Sequence, residues 1–233
     1  MAKRGATSGR AFTLIELLVV ISVIALLISI VLPALGSARE TSRRAKCMAN
    51  LRSIGQGFAM YLNANKGMFP MVNPLHGGTT SGPNEVPNDP SLLDLLSEYL
   101  DAEVPHREEP GNINTPFIVS DPYKCPSDIA GIGGNAGEPT WKDTGTSYEF
   151  FPASFMLLGT LMAVKDPAFG VTKAYEKDRN WPIAVDWGDY HPLRRNQIAR
   201  NAVFYPDYRA DWMIDIGNFE AGKFIEDMRR YGG

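Results

Sequence analysis

Three groups of residues in this 233-residue chain have types and spacing that could do chemistry. The densest is Asp186-Trp187-Gly188-Asp189-Tyr190-His191, where Asp186, Asp189 and His191 offer two carboxylates and an imidazole, a set that could hold a metal ion. A strand end rich in turn formers also collects aspartates for backbone capping, and Asp207, Asp211 and Asp215 add acids further on. The second group is Cys47 and Cys125, either a disulfide or two thiols. A bond between them would contribute roughly 4–5 kcal/mol by loop entropy. The third is a single carboxylate, Glu16, inside an apolar run. A charge there costs up to about 2.5–3.5 kcal/mol at a helix centre and less near the interface, so it should find a partner or snorkel, unless it is a solvated first-turn acid that marks the membrane edge and is favoured by the helix dipole. Catalysis has little material: the histidines are His76, His106 and His191, and there is no phosphate-cradling glycine loop, nucleophile elbow or zinc-protease helix motif. The expectation is a protein that is not an enzyme and has no cofactor.

These residues need elements to place them. Charge divides the chain: residues 1–52 carry a net +6 and the remainder −9. A basic front suits a membrane segment with charged flanks, and an acidic body argues against nucleic acid as a partner. Leu17 to Leu32 has no charge and only Ser22 and Ser29 as polar residues. A helix from Phe12 to Leu35 would span about 36 Å, enough for a hydrocarbon layer of about 30 Å, with its transmembrane part at about 14–35. Pro33 removes the hydrogen bond to the Ser29 carbonyl, so a kink or local melting is expected there. Beyond it Ala38, Ala45, Met48, Leu51, Ile54, Phe58, Tyr61 and Leu62 recur at helical steps, extending one helix over 12–64.

Gly67, Pro70 and Pro74 end that helix, and His76 to Pro90 reads as a loop. Asp89 as cap with Pro90 at the first position then predicts a short helix burying Leu92, Leu93, Leu96 and Leu100. Strands are expected at Pro116–Val119, Tyr148–Leu158, Pro182–Asp186 and Asn201–Met213, and a last amphipathic helix at Phe219–Tyr231. The class is α+β: a small antiparallel sheet domain, 65–233, packed on the second half of the long helix.

The N-terminus allows three identities. It could be a secretory signal cut after Gly36-Ser37-Ala38, which would release the body. It could be a plain anchor, and the Lys/Arg count would then put the body in the cytoplasm. The third uses more residues: Phe12-Thr13-Leu14-Ile15-Glu16, behind a short basic leader and ahead of a long apolar stretch, resembles the N-terminus of type IV prepilins and type II secretion pseudopilins. That resemblance implies a leader at 1–11, a cut between Ala11 and Phe12 by prepilin peptidase, and methylation of the new amine on Phe12. Ala11 stands where the family usually has glycine. It also implies that Glu16 pairs with the Phe12 amine of a neighbouring subunit as helices bundle into a filament. The chain would be single-pass in the cytoplasmic membrane with its body outside, partnered by the lipid bilayer, other pilin or pseudopilin subunits and an assembly platform.

Lys46-Cys47-Met48-Ala49-Asn50-Leu51-Arg52-Ser53-Ile54-Gly55, then Tyr61, Gly67 and Phe69-Pro70, are similar to large pilin-like proteins of planctomycete-like bacteria. Cys125-Pro126-Ser127-Asp128 and Pro182–Asp186 look like later landmarks of that group. Its usual Asp-Gly-His is replaced by Pro206-Asp207-Tyr208, and His191 is not at the usual spacing. Pseudopilins can hold calcium in the C-terminal domain, which makes that cation conceivable here. The competing expectation is a membrane-anchored or secreted domain that is a metal-dependent enzyme or a cation-binding module using Asp186, Asp189 and His191.

Overall fold

The computed structural model describes residues 13–72, 91–110, 112, 114–129, 137–177, 180–191, 200–213 and 221–233. Two compact units divide the chain, Met1–Ser42 and Arg43–Gly233. Helix α1 runs from Leu14 to Ala64, and Pro33 lies inside it without a break. Every large apolar side chain of α1 from Leu14 to Leu35 is exposed. In the second unit α1 buries Cys47, Asn50, Leu51, Ile54, Gly55, Gly57, Phe58 and Leu62, a stripe at three- and four-residue steps. Ala45 is left outside that stripe, which begins instead at Cys47. Lys66 and Gly67 follow with positive φ, and the Gly67 N–H donates to the Leu62 carbonyl at 2.8 Å to close the last turn.

The body is built on a four-stranded antiparallel sheet of β3 (Tyr148–Phe150), β4 (Pro182–Asp186), β5 (Asn201–Phe204) and β6 (Ala210–Trp212), paired in chain order. Ahead of it come α2 (Leu92–Leu96), a two-stranded ribbon of β1 (His106–Arg107) and β2 (Phe117–Ile118), and α3 (Thr140–Thr144). Around it lie α4 (Phe151–Leu161), α5 (Pro167–Lys177) and α6 (Ala221–Gly232).

Register decides which side chains meet α1. Phe150 pairs with Ala184, Ala184 with Val203 and Val203 with Ala210, so these four form one row across the sheet. A Cβ on Gly55 would lie 2.6 Å from Val203 Cγ2, which puts the α1 backbone directly on that face. Tyr148, Asp186 and Asn201 lie on the same face by strand alternation. Val185, Ala202 and Phe204 point the other way and pack with Phe151 and Met213.

Several elements differ from the sequence expectation, each for a local reason. The strand foreseen at Tyr148–Leu158 stops at Phe150, because Pro152 in the first turn opens α4; a preset φ and a missing N–H suit a helix start and not a paired strand. Asn201–Met213 is a hairpin rather than one strand, turned by Tyr205-Pro206-Asp207-Tyr208 with the Tyr208 N–H donating to the Phe204 carbonyl. The short helix α2 is capped by Ser91, whose hydroxyl accepts from the Asp94 amide while the Asp94 carboxylate accepts from the Ser91 amide. Asp89 and Pro90 lie outside the described residues. An Asp-Pro signal does start α5, where the Asp166 carboxylate accepts from the Phe169 amide at 2.9 Å. Phe224 and Met228 of α6 are buried as its pattern requires, and Phe224 joins a ring cluster with Phe155, Tyr175 and Trp181.

Gly55 sets how closely α1 approaches the sheet. Alanine there gains about 1 kcal/mol of helix propensity but overpacks against a stiff β-branched side chain, a cost of about 1–3 kcal/mol. Gly55→Ala is therefore expected to lower the denaturant midpoint of the detergent-solubilised chain. The loss should shrink in a Val203→Ala background, which removes the opposing methyl. A Gly55→Ala chain as stable as the parent would show that the contact does not set the packing.

Candidate functional site

Two places gather the residues singled out above, and they lie in different units. In the first unit the N-terminus of α1 is closed by a reciprocal cap. The Thr13 amide and hydroxyl both donate to Glu16 Oε2 at 2.8 Å, and the Glu16 amide donates to Thr13 Oγ1 at 3.2 Å. The Glu16 carboxylate is thus held at the first turn by the Thr13 amide and hydroxyl. Ala11 and Phe12 lie outside the described residues. Further along, Ser22 Oγ donates to the Leu18 carbonyl and Ser29 Oγ to the Leu26 carbonyl. Both hydroxyls are satisfied within the helix, as a lipid-facing surface requires. Among the described residues α1 is the one helix long and apolar enough to cross a membrane.

In the second unit Cys47 and Cys125 form a disulfide that ties α1 to the loop after β2. Polar contacts fix the loop beside it. Asn50 Nδ2 donates to the Lys124 carbonyl at 2.8 Å, and Lys46 Nζ pairs with Asp121 at 2.9 Å. The Cys125 amide donates to Ser147 Oγ at 2.9 Å, and Ser147 Oγ donates in turn to Asp128 Oδ2 at 2.8 Å. Asp128 also accepts from the amides of Thr140 and Trp141. Burial raises its carboxyl above the ordinary range, against the lowering pull of those donors. Burial raises Glu149 as well, with Ser154 Oγ opposing.

Of the metal candidates, Asp186 and His191 come together and Asp189 does not join them. His191 Nε2 lies 3.4 Å from Asp186 Oδ2 and 3.6 Å from Cys125 Sγ, and all of these groups are buried. Asp186 Oδ2 accepts from the Asn201 amide at 2.7 Å and from Asn201 Nδ2 at 2.9 Å. Arg44 Nε donates to Asn201 Oδ1 at 3.1 Å, with its guanidinium 3.7 Å from the Trp212 ring centre. Asp189 instead pairs with Arg200 on the surface. Asp207 pairs with Arg209, and Asp215 and His76 lie outside the described residues. Sequence reasoning treated the cysteines and the Asp/His group as separate. The link between them is the antiparallel register, which sets Asp186 at the end of β4 beside Tyr148, whose hydroxyl lies 3.5 Å from the Cys47 carbonyl.

Residues 8–32 match the family model for the prokaryotic N-terminal methylation motif. That motif is the signature of type IV prepilin and pseudopilin-like proteins, and the long apolar α1 with a small antiparallel sheet in a mixed α+β body is consistent with the pilin-like fold. No curated protein and no solved structure matches the chain.

The disulfide closes a sequence separation of 78 residues, for which the chain-entropy account gives about 4–5 kcal/mol. The double variant Cys47→Ser, Cys125→Ser should lose stability of that order in denaturant unfolding, and a loss well under about 1 kcal/mol would refute the account. Asp128 generates a pH dependence. Its folded-state pKa lies above the unfolded value, so its contribution is complete below about 3.9 and is lost as pH rises through the raised value. Asp128→Asn should flatten the fall in stability as pH rises above about 4, leaving the part due to Glu149.

Proposed function

We propose that this protein is a structural subunit of a type IV pilus-like filament or type II secretion pseudopilus, and not an enzyme. The supporting observation is the methylation motif over residues 8–32, with Glu16 four residues after Phe12. Prepilin peptidase cuts between Ala11 and Phe12 and methylates the Phe12 amine. Before assembly the subunit sits single-pass in the cytoplasmic membrane, with the body outside the cytoplasm.

The chemistry of α1 gives assembly its direction. Its apolar first half is uncovered by its own chain, so lipid or the matching faces of other subunits must cover it. Helices of that kind slide against one another with little to fix their axial register. A carboxylate in an apolar layer supplies the missing constraint, because it is stabilised where it meets a cation. The amine created at Phe12 is that cation. Within one chain Glu16 holds the Thr13 amide and hydroxyl, so its carboxylate already stands at the helix end where an amine would be received. A neighbour shifted along the axis by the Phe12 to Glu16 distance pairs the two charges and neutralises both. The acidic body, net −9 beyond residue 52, then lies on the filament exterior and sets what the surface meets.

Glu16→Leu tests this in cells that assemble the filament. The variant should be cut, inserted and folded like the parent, yet be absent from the sheared filament fraction. Incorporation at the parental level would contradict the pairing.

A further inference from the structure

The buried junction of Cys47, Cys125, His191 and Asp186 has a geometry that the disulfide alone does not call for. We propose that the chain with this disulfide reduced binds a zinc-class divalent cation through these four side chains, and that oxidation of the two thiolates expels it. One sulfur from each cysteine and a ring nitrogen of His191 lie within 4.8 Å of one another, all buried. A tetrahedral zinc with bonds of about 2.3 Å to sulfur, about 2.05 Å to nitrogen and about 2.1 Å to oxygen has edges of about 3.6 Å for S···N and about 3.4 Å for N···O. The corresponding distances here are 3.6 Å from Cys125 Sγ to His191 Nε2 and 3.4 Å from His191 Nε2 to Asp186 Oδ2. Two edges of the coordination shell are already close to these lengths; binding further requires the sulfurs to separate once the bond between them is broken, Cys47 Sγ to close on His191 from within 4.8 Å, and Asp186 to present Oδ1, since Oδ2 holds the two Asn201 donors.

The surroundings fit a cation. Asp186 is wholly buried, and its Oδ1 has no hydrogen-bond partner among the described residues. Its Oδ2 is oriented by two donors from Asn201, the outer-shell support that ligating carboxylates use. Two thiolates, a carboxylate and a divalent ion leave one net negative charge, and Arg44 stands one hydrogen bond beyond it through Asn201. Two sulfurs and an imidazole select zinc over calcium, which takes six to eight oxygens. Asp189, paired with Arg200, takes no part.

The exchange balances. A dithiol reductant gives two electrons and two protons to the Cys47–Cys125 bond and becomes a disulfide; the two thiols then lose their protons to solvent as the metal binds. In reverse, a disulfide oxidant takes two electrons from the thiolates and two protons from solvent, the Cys47–Cys125 bond reforms, and the cation leaves. The tie between α1 and the body is therefore kept in both redox states, by metal when reduced and by the covalent bond when oxidised. This inference does not depend on filament assembly.

The test uses the full chain in detergent, reduced with a phosphine and titrated with Co2+ as a spectroscopic probe. The expected result is one Co2+ per chain with tetrahedral d–d bands and thiolate charge transfer, displaced by Zn2+ and absent from the oxidised chain. His191→Ala and Asp186→Asn should each weaken binding at least tenfold, and Asp189→Asn should not. If reduction unfolds the body, Zn2+ should restore its circular dichroism. A reduced chain that shows no thiolate charge transfer, that binds equally well as His191→Ala, or that Zn2+ fails to refold would overturn the proposal.

Discussion

An apolar helix face with no cover of its own is the constraint on which the rest of this molecule depends. From Leu14 to Leu35 no side chain of α1 is buried by the protein, whereas from Cys47 to Leu62 the same helix supplies the central stripe of a folded core. One element thus has two solvents. The first half requires an environment without water, and every polar group within it must be satisfied locally, as Ser22 and Ser29 are. The second half requires a body whose sheet can accept a helix at close range, which Gly55 against Val203 permits.

The junction between α1 and the body has been given more than hydrophobic packing. A covalent bond, the Asn50 clamp on the Lys124 carbonyl and the chain of contacts from Arg44 through Asn201 to Asp186 all converge near one end of the sheet. All of these contacts lie within the unit Arg43–Gly233, and the disulfide joins its stretch of α1 to the loop after β2.

Much of this was legible from residue types. The apolar run, the position of Glu16, the amphipathic continuation and the strand Pro182–Asp186 all follow from periodicity and charge. What was not legible depended on competition between signals. Tyr148–Leu158 has strand composition throughout, and only Pro152 marks the switch to helix. The start of α5 at Asp166-Pro167 carries the same signal read at Asp89-Pro90 but follows a weakly amphipathic stretch. The partnership of Cys125 with His191 and Asp186 joins residues brought close by strand register, which no local pattern encodes. A first-turn acid at Glu16 is readable from its place at the start of the apolar run, whereas its reciprocal cap with Thr13 depends on the helix starting at Leu14.

The account of Glu16 rests on an amine that exists only after the leader is removed, so the chemical identity of the N-terminus is the decisive fact. Intact mass and N-terminal sequencing of the membrane-bound form read it directly. The account predicts a chain beginning at N-methylated Phe12. A chain beginning at Arg39, as a secretory signal would leave it, or one retaining Met1 to Ala11, would contradict it.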